Sequence, residues 1–440
     1  MQHNFKEVNE SYTLPEAIRE AQRCLQCKVP ACKKGCPVSN EIPLWIGELA
    51  KGNFGNALAI IHSHSNLPAV CGRVCAHEKQ CEGNCVLGKR GEHINIGKLE
   101  RFVADFDADA GLTHDAIPPK TRGKVAVIGS GPAGLTIAGD LARQGFSVEI
   151  FEMESDAGGV LTFGIPEYRL PKEVVRREIK RIESLGVQFH LSTTVGEGIT
   201  IDNLFDKGFD AIFMGTGTGV PKRLKIPGIE NKAVRQAIRF LRRVSLYENG
   251  LMSREEVIVG NGDRVFVIGC GNTGIDAART AVRMGSSEVT VIYHKSIDEM
   301  TALRAEYDEA VAEGVRFLWN TSVTNIEPID PTHIKSVTLK SADGEQTVPA
   351  DHVIMAVGSE PAARIVSSTR GIEIDENGYV LTREVPYGMT TRPGVFAGGD
   401  VTKRSATVVH AMHDAKLVAE GIIKYVDAKK LIEAINSNPL

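Results

Sequence analysis

The sequence predicts an α/β protein, with a helical N-terminal domain followed by two parallel-sheet domains, the second inserted in the first. Three observations predict it. Eight of the nine cysteines fall within the first 85 of 440 residues, in a stretch whose apolar spacing is helical. A strand, a glycine-rich turn and a helix then follow one another twice, the first glycines at 129 and 269. The closing strands recur too: Asp210-Ala-Ile-Phe-Met-Gly-Thr-Gly resembles Asp351-His-Val-Ile-Met-Ala-Val-Gly.

The bulk numbers exclude several classes. A net charge of −4 and a pI near 6.3 imply no large basic surface, so nucleic acid is not an expected partner. No apolar run approaches the ~18 residues of a membrane span, and residues 1–11 lack the basic-then-apolar order of a signal peptide. The expected compartment is the cytoplasm, where clustered cysteines bind metal more often than they form disulfides.

Residues 14–110 read as mostly helical. Leu44, Ile46, Leu49 and Ala50 give Pro43 to His62 a helical period, and Ile96 to Phe106 repeats it. Two cysteine groups lie in this region. Cys24-x2-Cys27-x4-Cys32-x3-Cys36-Pro37 is the first, and Cys71-x3-Cys75-x5-Cys81-x3-Cys85 the second. Thiolates are soft ligands that suit zinc or iron–sulfur clusters. Four-cysteine zinc sites and two [4Fe–4S] clusters both fit; the Cys-Pro ending, as in bacterial ferredoxin runs, and a redox cofactor site downstream favour clusters.

After a polar linker, Gly111 to Gly123, the pattern changes. Lys124 to Gly129 is a buried-strand run, Leu135 to Gln144 a helix and Val148 to Phe151 a second strand. Between them Gly129-Ser-Gly131-Pro132-Ala133-Gly134 is a dinucleotide fingerprint of the Rossmann type. Its glycines serve a tight turn, the backbone's approach to a pyrophosphate, and close helix–strand packing. Glu152 ends the second strand, where a carboxylate bonds ribose hydroxyls. Gly394 to Asp400 adds a second glycine/aspartate turn, followed by a helical stretch from Thr407. A site returning to the first domain from the C-terminal region suits the long dinucleotide FAD.

The second fingerprint is Gly269-Cys-Gly271-Asn272-Thr273-Gly274, with a helix from Ile275 and a strand Val289 to Tyr293. Cys270 within it reads as a small turn residue. Tyr293 stands where Glu152 stood, and His294 and Lys295 follow. A missing carboxylate and two basic groups favour a 2′-phosphate, hence NADPH over NADH. The alternative is a solvated strand end. No Cys-x-x-Cys follows either fingerprint, so a disulfide reductase has no redox pair here. The expected domains are therefore 1–120 helical, 121–225 with 361–440 for FAD, and 226–360 for NAD(P)H.

With these motifs the chain resembles the small (beta) subunit family of glutamate synthase. That family includes the NADPH-input half of dihydropyrimidine dehydrogenase and the large subunit of NADH-dependent ferredoxin:NADP oxidoreductase. The stretches that carry the resemblance are Arg23-Cys24-Leu-Gln-Cys27, Cys36-Pro37-Val, Leu67-Pro-Ala-Val-Cys71-Gly-Arg-Val-Cys75, Cys81-Glu-Gly-Asn-Cys85, Ile96-Gly-Lys-Leu-Glu100-Arg-Phe and Gly158-Gly159-Val-Leu161-Thr-Phe-Gly-Ile-Pro166.

The resemblance implies that Cys24, Cys27, Cys32 and Cys85 hold one [4Fe–4S] cluster and Cys36, Cys75, Cys81 and Glu100 the other, leaving Cys71 structural. Glu100 favours glutamate synthase-like members over dihydropyrimidine-type members, which carry Gln. It also implies that Gly159, Leu161, Arg169, Val195, Gly399, Asp400 and Thr407 contribute to the FAD site, and that Gly358 lies near the nicotinamide. Tyr293-His294-Lys295 replaces the paired arginines of many members, and Met300-Thr301-Ala302 a common Met-Pro-Ala.

The expected activity is oxidation of NAD(P)H, with electrons passing through FAD and two clusters to a partner subunit. That partner is expected to be an amidotransferase; a ferredoxin-linked bifurcating transhydrogenase and an FMN-barrel dihydropyrimidine dehydrogenase are the alternatives. A zinc-bearing scaffold that only senses redox state is the non-enzyme alternative.

Overall fold

A computed structural model describes residues 4–113, 116–362, 364–402 and 407–437. The chain divides into two compact units: residues 9–161, 172–220 and 360–440 form one, and residues 4–8, 162–171 and 221–359 the other.

In the first unit, short helices carry the cysteines. The apolar stretch 43–62 forms two helices, Ile42–Ala50 and Phe54–His62, because Gly52 turns the chain at a φ of +82° between them. Trp45, Ile46, Leu49, Leu58 and Ile61 bury one face of the pair. Ile96–Ala110 buries Leu99 and Val103 and stops at Gly111, left-handed at φ +63°.

This helical segment and the sheet that follows share one compact unit. Asn66 Nδ2 donates to the Thr136 carbonyl (2.9 Å) and to Asp140 Oδ1 (2.8 Å) on the helix Pro132–Arg143. The Ala69 N–H donates to Glu178 Oε1 at 2.8 Å.

The sheet orders its strands Thr382–Glu384, Tyr387–Thr390, Val395–Ala397, Ala211–Met214, Gly123–Ile128, Phe146–Phe151 and Gln188–His190. The central strand Gly123–Ile128 is parallel to both neighbours, Ile128 standing opposite Phe151 and Met214. Strands buried on both faces need near-continuous apolar runs, which Val125 to Ile128 supplies.

The second unit repeats the arrangement in a parallel sheet of Val234–Gln236, His352–Met355, Arg264–Ile268, Glu288–Ile292 and Arg316–Leu318. Ile268 stands opposite Ile292 and Met355. An antiparallel sheet, Ser322–Pro328, Ile334–Ser341 and Gly344–Pro349, completes it. Among the described residues no helix is long and apolar enough to cross a membrane.

Candidate functional site

Both glycine turns leave the C-terminal end of a central strand, where ligands bind in open α/β sheets. Gly129 (φ +94°) and Gly269 (φ +113°) make the left-handed turn that side chains disfavour. A Cβ on Gly134 would collide with the Gly129 carbonyl, and one on Gly274 with that of Gly269. Each third glycine is thus required by helix–strand packing. Gly131 differs: a Cβ there meets nothing within 4 Å. Its lack of a side chain leaves room for a ligand over the N-terminus of Pro132–Arg143, where N–H groups favour phosphate.

Glu152 is buried and fixed. The Ser130 N–H and hydroxyl donate to its Oε2 at 2.8 and 2.6 Å, and the Glu154 N–H to its Oε1 at 2.9 Å. The Gly158 N–H in turn donates to Ser130 Oγ (3.0 Å). Gly159 (φ +54°) packs so closely on the first turn that a Cβ would lie 3.0 Å from Gly131 Cα. Leu161 is fully buried, and its carbonyl accepts from Lys172 Nζ at 3.1 Å. Val195 is buried and bridges Ile199.

From the other end of the chain, Gly399 (φ +75°) places its turn on the first fingerprint, where a Cβ would be 3.1 Å from that of Ala133. Asp414 holds this turn by accepting from the Gly399 N–H (2.6 Å), so Asp400 stands at the same crevice. Thr407 Oγ1 pairs with His410 Nδ1 (2.6 Å) and accepts from the His410 N–H at the start of Val408–Ser437. These residues form a cradle suited to a flavin dinucleotide. Ser130, Lys172 and Asp414 were not legible as site residues, because their partners lie eleven or more residues away along the chain.

Arg169 belongs to the second unit, where its Nη1 donates to both Asp276 oxygens (2.9 and 2.8 Å) and its Nε pairs with Glu306 (2.8 Å). The two carboxylates hold this buried guanidinium firmly charged.

In the second unit Asn272 Oδ1 accepts from the Leu303 N–H (3.0 Å), folding the Met300-Thr301-Ala302 loop onto the glycine turn. Thr273 is exposed in the first helical turn above Gly271, which caps Asn272–Arg283. Cys270 is buried, which pushes its thiol up to about 12; it is no nucleophile. Tyr293 is buried and donates to the Glu299 carbonyl, while His294 and Lys295 are exposed at the strand end. Lys295 pairs with Glu299 at 3.2 Å. Gly358 is exposed beyond His352–Met355, and its carbonyl accepts from the Lys222 N–H.

The cysteines fall into two sets. Cys24, Cys27, Cys32 and Cys85 line one cavity, closed by Ile42, Ile46 and Ile96. Arg23 ties its rim, donating to Glu20 and to the Glu92 carbonyl. Gln26, left-handed at φ +49°, turns its N–H to the Cys24 sulfur, and the Lys33 N–H meets that of Cys32.

Glu100 is an electrostatic neighbour of Cys36, Cys75 and Cys81, Cys81 adjoins the other two thiols, and Cys71 stands beside Cys36 and Cys75. The Asn40 and Val38 N–H groups face Cys36. Burial pushes the Cys32 thiol up to about 11, the Cys36 thiol to about 12 and the Glu100 carboxyl to about 8, Glu178 adding to the last. Burial thus favours the protonated form of each of these groups, and a bound metal would have to displace those protons.

Glycines explain how Glu100 reaches the second set. A Cβ on Gly72 would lie 2.5 Å from the Arg101 nitrogen, and one on Gly97 would strike the His77 ring. At Gly72, Pro68–Val74 and Ile96–Ala110 therefore cross backbone to backbone. Cys71 is buried; it shares a hydrogen bond with Cys75 and contacts Met412 Sδ at 3.6 Å. Among the described residues no three His, Cys, Asp or Glu side chains converge as ligands of a single ion. The first set instead surrounds a volume, the arrangement a cluster needs.

Residues 1–112 match the family described as dihydropyrimidine dehydrogenase domain II, 4Fe-4S cluster. Residues 123–415 match the pyridine nucleotide-disulphide oxidoreductase family. The chain is 35% identical to the glutamate synthase [NADPH] small chain of Halomonas elongata, over 96% of this chain and 93% of that one. It is 33% identical to the NAD-dependent dihydropyrimidine dehydrogenase subunit PreT of Escherichia coli K12, over 97% and 98%. Lactococcus lactis thioredoxin reductase shares the fold over 70% of this chain and 99% of its own, with a TM-score of 0.54 at 24% identity.

Proposed function

The chain belongs to the family of glutamate synthase small chains and their dihydropyrimidine dehydrogenase relatives, and from that premise we propose that it carries electrons from NADPH through FAD and two [4Fe–4S] clusters to a separate catalytic subunit of the glutamate synthase type. At the coarser level it is an NAD(P)H-dependent iron–sulfur flavoprotein oxidoreductase. We assign it to the cytoplasm, where clustered thiols serve metals.

The observation that carries the reading is the sorting of the ligands. Four thiols surround one cavity, and three thiols with a buried carboxyl gather at a second place. When bound, flavin takes up a hydride and releases electrons singly, and each cluster carries one electron at a time. The chain's own residues hold and tune these groups. Fixed Glu152 offers a ribose acceptor, the open face of Gly131 admits a pyrophosphate, and N–H groups aimed at Cys24, Cys32 and Cys36 stabilise thiolate charge.

Met412 touches Cys71 from the helix Val408–Ser437, which follows Thr407; this supports the second set as the one beside the flavin. Exposed His294 and Lys295 support NADPH as donor. Glu100 supports an amidotransferase partner. The likeness to PreT along nearly its whole length keeps an FMN-bearing dihydropyrimidine dehydrogenase partner as the second reading.

The test is anaerobic titration with NADPH and with NADH, followed by absorbance and electron paramagnetic resonance. NADPH is expected to bleach the flavin at lower concentration than NADH, and two reduced-cluster signals to follow. Flavin that is reduced while both clusters stay oxidised would sink the relay.

A further inference from the structure

The two segments that line the four-cysteine cavity carry an unusual surface. Leu25 and Val86 line it and are 60% and 37% exposed, and Val29, 69% exposed, stands between Cys27 and Cys32 in the first of these segments. Isolated apolar side chains on a surface are ordinary, but three on the segments that line one cavity form a patch. From Cys24 to Cys36 the sequence has three lysines and no acid, and from Cys85 to Glu92 it has Lys89, Arg90 and the single acid Glu92. Lys33 pairs with Glu41. Lys28, Lys34, Lys89 and Arg90 are exposed, and among the described residues none has an ion-pair partner. This concentration of positive charge stands out on a chain whose net charge is −4.

An apolar centre with an unpaired cationic rim is complementary to an acidic protein face. Electron-transfer encounters are small and short-lived, so charge sets their rate more than area does. We propose that this surface docks a separate redox protein through an acidic face, its carboxylates on Lys28, Lys34, Lys89 and Arg90 and its apolar centre on Leu25, Val29 and Val86. The proposal rests on the relay reading above, with the Cys24, Cys27, Cys32 and Cys85 site as the exit. The balance is one NAD(P)H and two oxidised one-electron centres giving NAD(P)⁺, one proton and two reduced centres. The same cations could instead only offset the negative charge of a thiolate-bound cluster, and the test separates the two.

The probe is an acidic two-[4Fe–4S] ferredoxin, offered to the full chain loaded with flavin and iron. Its NADPH-driven reduction is compared with that of a small neutral quinone, between 50 and 300 mM salt (concentrations chosen to shrink the Debye length about twofold, from roughly 14 to 6 Å). The ferredoxin-to-quinone ratio of kcat/KM is expected to fall about tenfold over that range, and about tenfold in Lys28→Glu/Lys89→Glu at low salt. Calorimetric titration of oxidised ferredoxin onto oxidised enzyme should show the same weakening, and it needs no electron flow.

A ratio insensitive to salt and to charge reversal overturns the docking surface. So does a variant that shifts the cluster potential but not the ratio, or preferential binding of basic cytochrome c. If NADPH leaves the clusters oxidised, the relay falls, and the calorimetric arm still decides the docking.

Discussion

Gly131 and Gly134 stand three residues apart and are required for different reasons. A methyl group on Gly134 would enter the Gly129 carbonyl, whereas one on Gly131 meets no protein atom. Gly134→Ala is therefore expected to lower the melting temperature and abolish soluble flavin-bound protein. Gly131→Ala should keep the apoprotein's melting temperature within a few degrees (about 1 kcal/mol or less) and lose flavin. Thermal melts and flavin content, measured on both, check this; equal destabilisation would remove the distinction. The same physical split holds for Gly274, which cannot bear a side chain for packing reasons.

At the scale of elements, the second ligand set depends on one helix crossing. Gly72 lets Pro68–Val74 and Ile96–Ala110 approach until Glu100 joins Cys36, Cys75 and Cys81, and Gly97 makes room for the His77 ring. Gly72→Ala should push the helices apart and lower bound iron towards that of one cluster, read by iron analysis and by loss of one resonance signal.

Glu178 braces the same helix from outside by accepting from the Ala69 N–H. Burial raises its carboxyl from 4.5 to about 7. A folded value above the unfolded one means that the native chain holds a proton the unfolded chain has released. The associated stability is present below about pH 4.5 and is lost as pH rises through about 7. Glu178→Gln keeps the acceptor and removes that loss. Its urea stability should fall less between pH 5 and pH 8 than that of the wild type, by up to about 3 kcal/mol. Parallel pH profiles for the two proteins would refute the assignment.

At the scale of the whole molecule, the division into units does not follow the order of the chain. Residues 162–171 leave the first unit and complete the second, and residues 4–8 do likewise. Tyr168 donates to the Asp276 carbonyl and lies under the Arg279 and Arg283 guanidiniums, and Arg169 pairs with Asp276 and Glu306. Phe5 packs against Tyr168. Removing Arg169 leaves two buried carboxylates short of a partner, a loss of about 3–5 kcal/mol. Arg169→Met should therefore unfold at lower urea while its flavin content is kept. Loss of flavin with unchanged urea stability would instead place Arg169 in the flavin site.

Periodicity and spacing alone determined the α/β class, the two glycine turns and their strands, because these are local: a strand's period and a turn's glycines lie within ten residues of one another. They also determined that no Cys-x-x-Cys follows either glycine turn, so neither nucleotide domain's sequence offers a Cys-x-x-Cys redox pair. The break at Gly52 was legible only in part, since the apolar period continues across it. The sorting of eight cysteines into two sets was not legible from spacing, because Cys85 joins a group some fifty residues upstream and Glu100 enters through a helix crossing. The partners of Glu152, the brace at Glu178 and the ion pairs of Arg169 were decided only by the tertiary structure. Each depends on burial and on contacts between segments far apart in the chain, and neither quantity is written in any one stretch of sequence.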